Sequence, residues 1–573
     1  MRWVCALCLV LATLPVLAAS PKQADAGYIV QNPVLIKLKD GVTLSAIIVR
    51  KKGVTQPLPA TLFFTPYSQG PGDVYFAKAP AERGFVGVVV YSRGIRTNIK
   101  DFVPYVHDGE DAREAIEWIA RQPWCNGKVG MFGGSYVGFV QWAVARDPPA
   151  ALKTIVPQVA VMPGIDSPME NNVFQSFMFR WANNILGFPP PAADLYVRWY
   201  RSGLPYRQLD LLDGHPNRIF QQWLDHPAYD SYWRSLAPAP GQYANLKIPI
   251  LVTDGYYDGA QIGSMQYVRD YFRYNKHPDL YLVLGPWDHF GAQRSAALTL
   301  MGYKIDPVAN VSMRKLAFEW LDWILKGAQK PKLLQNRINY EVMGANQWKH
   351  IASLDAMHDR TLTLYFSGTR NGSGYLLDPV APARASHVEQ TVDFRDRSTQ
   401  NNDYTRFIVL KRLDSSHGLV FATRPFEHAF SIDGSFAGEL VASINRRDVD
   451  FSIAVYELMP DGRYFYLAHD LGRASYAHDR SRRELLAPGR KTKIPLHDTN
   501  IVSKRIAKGS RLVVVLNVNK NPYMEINYGT GKPVTDESMK DAGQPLRIEW
   551  YNDSRITVPV MSDPTLHAHD GGQ

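Results

Sequence analysis

The chain has 573 residues, 45% of them hydrophobic, and a formal charge of +10. That length exceeds one ordinary domain and is ample for two or three, each with a real core. The charge is modest and scattered, and the densest basic stretches, RKK at 50–52 and RSRR at 480–483, read as solvated faces, which argues against a nucleic-acid or membrane patch.

In chain order, the first feature is MRWVCALCLVLATLPVLAAS. Arg2 precedes an apolar run from Trp3 to Leu17, the length of a signal-peptide core and short for a membrane span. Small residues around Ala18, Ala19 and Ser20 offer cleavage sites, so residues 1–19 read as a signal peptide and the mature protein as exported, periplasmic or secreted. Cys5 and Cys8 leave with that segment. Cys125 then stands alone, which excludes an internal disulfide and any multi-cysteine zinc or iron–sulfur site.

Residues 34–50 predict a hairpin turning at Asp40-Gly41. The continuous apolar runs ATLFFTPY (60–67) and GFVGVVVYS (84–92) predict strands buried on both faces. EDAREAIEWIARQ (110–122) carries apolar residues at helical spacing with acids in its first turn. KVGMFGG then leads into an apolar helix, followed by the strand KTIVPQVAV (153–161). Strand alternating with helix argues for a parallel α/β sheet. Residues 163–244 break the alternation with aromatic-rich helical stretches and read as an inserted cap. Strands resume at LKIPILVTDG (246–255) and DLYLVLGPW (279–287), and SMRKLAFEWLDWILKG (312–327) predicts an amphipathic helix that closes the domain. From about residue 350, short β runs separated by turns predict a β-sandwich or jelly roll.

Ser135 sits at the strand-to-helix junction, with Gly133 and Gly134 before it and Gly138 after it. A serine hydroxyl needs a base to become a nucleophile, and the base needs a partner that fixes its tautomer. In an α/β-hydrolase the three follow in the order serine, acid, histidine, after successive core strands. ILVTDGYYDG offers Asp254 and Asp258, and YLVLGPWDHF offers His289, in that order. The oxyanion requires donors. The backbone N–H of Tyr136 is the expected first donor, and Tyr67, in the loop after an early strand, either points its phenol inward as the second or merely packs.

TPY at 65–67, DGEDAREAIEWIARQPWCNGKVGMFGGSY, GYYDG, GPWDH and the late NVNKNPYMEINYGTG resemble landmarks of the CocE/NonD hydrolase family, relatives of X-Pro dipeptidyl peptidases. The resemblance spans residues 30–560. It implies an α/β-hydrolase core at 20–162 and 245–345, a helical cap at 163–244 and a C-terminal all-β jelly roll at 350–565. It carries over Ser135 as nucleophile, Asp258 as acid and His289 as base, with the Tyr67 hydroxyl and Tyr136 amide as oxyanion hole. Two departures stand out. Tyr91, in YSRGIRTN, occupies a position where family members commonly have an acid. Gly259, Ala260, Gln261 and Ile262 follow Asp258 where members acting on α-amino acids carry carboxylates.

The expected activity is hydrolysis of an ester or amide of a small-molecule or peptide-like acyl substrate, through an acyl-enzyme, without cofactor or metal. Tyr257, Trp287 and Phe290 are expected to line an apolar acyl pocket. An X-Pro dipeptidyl peptidase is the alternative within the class. A non-catalytic glycan- or polymer-binding protein on a relic fold is the alternative outside it. Nothing in the sequence sets the oligomeric state, a homodimer included.

Overall fold

In the computed structural model, which describes residues 27–402, 407–496 and 499–562, the apolar runs assemble into a ten-stranded mixed sheet. Its strands are β1 (Tyr28–Lys37), β2 (Thr43–Lys51), β3 (Leu58–Thr65), β4 (Val86–Tyr91), β5 (Cys125–Gly134), β6 (Leu152–Gln158), β7 (Ile250–Gly255), β8 (Leu280–Gly285), β9 (Ile338–Val342) and β10 (Gln347–Ile351). The spatial order is β1-β2-β4-β3-β5-β6-β7-β8-β9-β10. Strands β3 to β9 run parallel; β1, β2 and β10 are antiparallel to their neighbours. β4, β7 and β8 are buried along their whole length, which is why they read as unbroken apolar runs rather than as alternation. The expected signal segment lies outside the described residues, and among those described no helix is long and apolar enough to cross a membrane. Cys125 is a buried free thiol.

Helices α1 (Val74–Glu82), α2 (Asp108–Ala120) and α3 (Tyr136–Val144) connect the early strands. Between β6 and β7 the chain leaves the sheet for the cap, whose longest helix is α4 (Ser176–Ile185). Helix α5 (Gln261–Tyr274) follows β7. Helix α6 (Met313–Lys326) does not close the domain as the sequence predicts: the chain returns to add β9 and β10, so the sheet runs to Ile351, past 345. The reason is polarity. β9 is fully buried yet carries Asn339 and Glu341, and the Asn339 amide is spent on the Leu282 and Asn336 carbonyls. An apolar-run search passes over such a strand.

C-terminal to the sheet, fourteen strands of the described residues form one hydrogen-bonded all-β network. It meets the first domain at β9, where Met343 N–H donates to Ser503 O at 3.1 Å and Arg505 N–H to Met343 O at 2.9 Å. The late stretch NVNKNPYMEINYGTG meets the cap. Ser176 N–H donates to Tyr523 O at 2.8 Å, and Phe174 N–H donates to the Glu525 carboxylate at 3.0 Å. Arg473 binds Asp450 and Glu525 together with no solvent exposure to speak of. Two buried acids sharing one guanidinium are costly to separate from it, so this pairing locks the strands that carry the cap contacts.

Candidate active site

A parallel sheet turns all its strand C-termini to one edge, and that edge is where ligands bind in open α/β sheets. Ser135 follows β5 there, at φ 63° and ψ −125°. A non-glycine residue held in that region costs about 1–3 kcal/mol and persists only where its surroundings over-determine it. They do so here: Ser135 N–H donates to Gln158 O at 3.0 Å, and Phe139 N–H and Val161 N–H donate back to Ser135 O at 3.0 and 3.4 Å. A side chain at Gly138 would stand 2.9 Å from the Gln158 carbonyl oxygen, and one at Gly134 would stand 2.2 Å from the Gln293 side chain. The glycines therefore let β6 and the 289–293 turn close on the elbow from two sides. Ser135 is half-buried while its neighbours on both sides are buried.

Tyr136 opens α3. Its phenol points away from the bend, donating to Asp108 Oδ2 at 2.7 Å and accepting the Tyr105 N–H at 2.6 Å. Asp108 also accepts the Ser92 hydroxyl at 2.5 Å. Burial raises Asp108 to about 6 against the pull of those two hydroxyl bonds. Asp108, the first acid of DGED, thus anchors the residue after Ser135. Its side chain is tied back, and the backbone N–H is what it presents at the helix start.

The loops after β7 and β8 are laced by their backbones. Tyr256 N–H donates to Gly285 O at 2.8 Å and Tyr257 N–H to Trp287 O at 3.1 Å. That lacing brings Asp258 Oδ1 to 2.7 Å from His289 Nδ1. Asp258 is buried, whereas the His289 side chain is 19% exposed. With Nδ1 engaged, Nε2 is the free nitrogen. Burial pulls the imidazole down, but the charge and hydrogen bond of Asp258 outweigh it, and the net shift is upward from 6.5. Gln293 donates to the His289 carbonyl at 2.7 Å while packing on Gly134, so the histidine turn lies over the residue before the serine. Asp254 is not the partner of His289; its Oδ1 accepts the Gly255 N–H at 2.7 Å.

Tyr67 follows β3. Its phenol oxygen accepts the Trp181 indole N–H at 3.1 Å and reaches the Ser135 side chain. Burial pushes the phenol up from its ordinary value, so it remains a neutral donor. An indole N–H can only donate; it fills one lone pair of Tyr67 and does not use the phenol proton. Trp181 is a residue that sequence reasoning missed. Its only signal was membership of the aromatic-rich cap stretch.

The three expected pocket aromatics separate. Phe290 is exposed at the rim, its ring 5.8 Å from that of His289. Tyr257 is half-buried, and its hydroxyl donates to Tyr466 O at 3.2 Å. Trp287 is a correction: it is fully buried and its indole donates to Ala309 O at 3.0 Å, with Trp348 beside it. The ring anchors the loop after β8 to the interior, its indole turned toward Ala309. The departure at Tyr91 also resolves in space. Its hydroxyl donates to Asp73 at 2.6 Å and accepts from Arg96 at 3.0 Å, so a carboxylate from a different element stands beside it.

Residues 40–291 match the X-Pro dipeptidyl-peptidase (S15 family), and residues 334–549 match the X-Pro dipeptidyl-peptidase C-terminal non-catalytic domain. The chain is 25% identical over 587 residues to cocaine esterase of Rhodococcus sp. (strain MB1 Bresler), covering 94% of this chain and 99% of that one. An α-amino acid ester hydrolase structure superposes with a TM-score of 0.79 at 21% identity over 97% of this chain and 100% of that one. An aminopeptidase structure from a marine sediment Thaumarchaeota archaeon gives 0.79 at 20% identity, over 96% and 99%. These structural likenesses speak for the fold.

Trp181→Phe keeps an aromatic ring in the stack and removes the N–H together with the five-membered ring that carries it. In hydrolysis of a test ester, kcat is expected to fall about tenfold, the cost of one lost hydrogen bond of ~1.4 kcal/mol. The same change in a Tyr67→Phe background should add little, since the indole acts through the phenol. Additive losses in that double-mutant cycle would remove Trp181 from this role.

Proposed function

The chain belongs to the CocE/NonD, X-Pro dipeptidyl-peptidase-like family of serine hydrolases, and on that premise we propose that Ser135, His289 and Asp258 are its catalytic triad. The observation that carries the proposal is the pairing of a strained Ser135 elbow with the 2.7 Å Asp258–His289 contact on the same sheet edge. In the first half-reaction His289 Nε2 takes the Ser135 proton as Oγ attacks the acyl carbon. The oxyanion is met by the Tyr136 N–H and the Tyr67 O–H. Collapse expels an alcohol or amine, which receives the proton from His289. Water then enters by the same route, His289 again the base, and the acid leaves with Ser135 restored.

Ser135→Ala is expected to cost on the order of 10⁶ in kcat. It should also abolish labelling by a fluorophosphonate, the result that separates an enzyme from a relic binding protein. Asp258→Asn should cost roughly 10⁴ through the wrong histidine tautomer, and Tyr67→Phe about 10²–10³ with KM little changed. The base must be neutral to act. Because His289 is shifted upward, kcat/KM should rise with pH through a midpoint above 6.5. An active Ser135→Ala, or an acid limb centred below that value, would count against the triad.

We infer a neutral or apolar acyl group. The residues after Asp258 bring no acid, and Glu170 is already engaged by His469 at 3.3 Å and Gln175 at 3.2 Å. One observation favours the second reading, an acyl group with a free α-amine as in an X-Pro dipeptide. The Asp166 carboxyl lies against Gly263, in the first turn of α5, with Oδ2 buried and unpartnered. Burial pushes Asp166 well up, which makes it a neutral acid until a cation arrives. Matched substrates decide: the same ester or X-Pro amide with its α-nitrogen free or acylated. A strong kcat/KM preference for the free amine, lost in Asp166→Asn, would establish the peptidase reading instead.

Export is part of the proposal, supported by the apolar run at 3–17. N-terminal sequencing of protein recovered from outside the cytoplasm is expected to begin near Ala19 or Ser20; an intact Met1 on that fraction would contradict cleavage.

A further inference from the structure

Two carboxyls are buried together behind the base, and the chemistry above uses one of them. Asp254 is the penultimate residue of β7, and Asp258 closes the turn four residues on. Asp258 Oδ1 accepts His289 Nδ1–H at 2.7 Å and Ala260 N–H at 3.1 Å. Asp254 Oδ1 accepts the Gly255 N–H at 2.7 Å, and the Ser264 hydroxyl is within hydrogen-bonding reach of the same carboxyl. The second oxygen of each, Oδ2, is buried without a donor, and the two carboxyls stand within hydrogen-bonding reach of each other.

Two bare carboxylates at that range cannot both stay ionised away from water. One proton between them satisfies both orphaned oxygens. The pair holds that proton jointly, but its two ends are not alike. Asp258 has two donors, one of them the imidazole that becomes cationic during turnover. Asp254 has a backbone N–H and a neutral hydroxyl beside it, and no group that becomes a cation. The charge therefore belongs on Asp258 and the proton on Asp254.

We propose that Asp254 is a protonated positioning residue of the triad, whose Oδ2–H donates to Asp258 Oδ2 and so fixes the carboxylate that orients His289. The inference rests on the triad reading above. Burial first, and then the charge of Asp258, hold the Asp254 carboxyl well above the ordinary carboxylate range. The groups facing the pair agree. Ser264, from the first turn of α5, offers Asp254 a neutral hydroxyl that pulls its carboxyl down, though less than burial and the Asp258 charge push it up. Asp166 approaches Asp258 from the cap and is itself held well up by burial. His289 comes from the loop after β8, and Gln261 on α5 spends its amide on Gly255 O at 2.9 Å. From the all-β domain, Asn500 donates at 3.4 Å to the Asp258 backbone carbonyl and leaves the carboxylate alone.

The consequence for the base has a definite sign. A donor on Oδ2 draws charge from Asp258 and weakens its hold on the His289 proton. Losing the donor should raise the His289 pKa; removing a negative charge from position 254 would lower it. Two variants of the full chain separate these cases. Asp254→Leu removes the donor, and kcat/KM is expected to fall about thirtyfold with its acid limb moved upward. Asp254→Asn supplies an N–H in the same place, and should restore the rate to within about threefold of wild type with the limb near its original position; both figures follow from orphaning or re-pairing one buried acceptor of a charged group. A downward move of the limb in Asp254→Asn would mean that a charge had been removed, and would overturn the proposal. So would an Asp254→Leu enzyme with wild-type rate and limb.

Infrared difference spectra at neutral pH, wild type against Asp254→Asn, give a readout that needs neither activity nor a folded Leu variant. The carbonyl stretch of one protonated carboxylic acid should be present in the wild type and lost in the variant; no lost band overturns the proposal. That failure is distinct from failure of the triad itself, which an active Ser135→Ala would reveal.

Discussion

The 2.7 Å contact between Asp258 and His289 is the interaction on which the rest of the site depends, because it requires a carboxylate to stay charged where water does not reach it. Burying a lone ionised carboxylate costs several kcal/mol even after relaxation. The chain offsets that cost with donors rather than with a resident cation. The imidazole and the Ala260 N–H serve one oxygen, and under the proposal above the Asp254 carboxyl serves the other. A guanidinium there would hold the aspartate more tightly but would compete with the imidazolium for it. Neutral donors leave the histidine as the one group able to become the counter-ion.

The two appended regions bear on this centre from opposite sides. The all-β domain grips the acid turn from behind: Ile501 N–H donates to Gln261 Oε1 at 2.6 Å, and Gln261 returns a bond to Ile501 O at 3.0 Å. Gln261 starts the helix that follows the acid turn and also bonds back to Gly255, so one side chain ties strand end, helix start and β domain together. The cap reaches over the front. Its 174–176 segment bonds along Tyr523 and Glu525, and Glu525 is held by the buried Arg473. The C-terminal domain therefore supports both the acid and the roof, although it contributes neither nucleophile, acid nor base to the proposed triad.

What was legible in the sequence is what a parallel sheet writes locally. Buried strands appear as apolar runs, and a run followed by a chemically able residue marks the strand end that faces the site; Ser135, Asp258, His289 and Tyr67 all follow this rule. The rule has two blind spots. Between Asp254 and Asp258, strand-end position alone offers both acids, and only the bonding separates their tasks. Trp287 also follows a strand, yet a single indole bond to Ala309 turns it inward, and side-chain direction after a turn has no period to read. β9 was hidden for a different reason: its Asn339 and Glu341 are buried, which a pattern search takes as surface. Asp73 beside Tyr91, and Trp181 on Tyr67, are pairings through space that no spacing encodes.

The Trp181 pairing also changes what the cap is. A phenol oxygen has one proton and two lone pairs, and its rotation is soft. In open solvent the Tyr67 proton would sample water as readily as the serine. The indole N–H at 3.1 Å, itself stacked 5.8 Å from both Tyr136 and Trp223, fills a lone pair from a fixed direction. The proton is then confined to the remaining arc, which under the proposed mechanism faces the oxyanion. Preorganised donors stabilise a developing oxyanion because they do not have to turn toward it during the reaction. Under the proposed mechanism, half of that preorganisation comes from the helix core, through the Tyr136 N–H at the start of α3, and half from the cap, through Trp181. Under that mechanism the cap aims one of the two oxyanion donors, so a change in the cap that moves Trp181 cannot leave the rate of acyl transfer untouched.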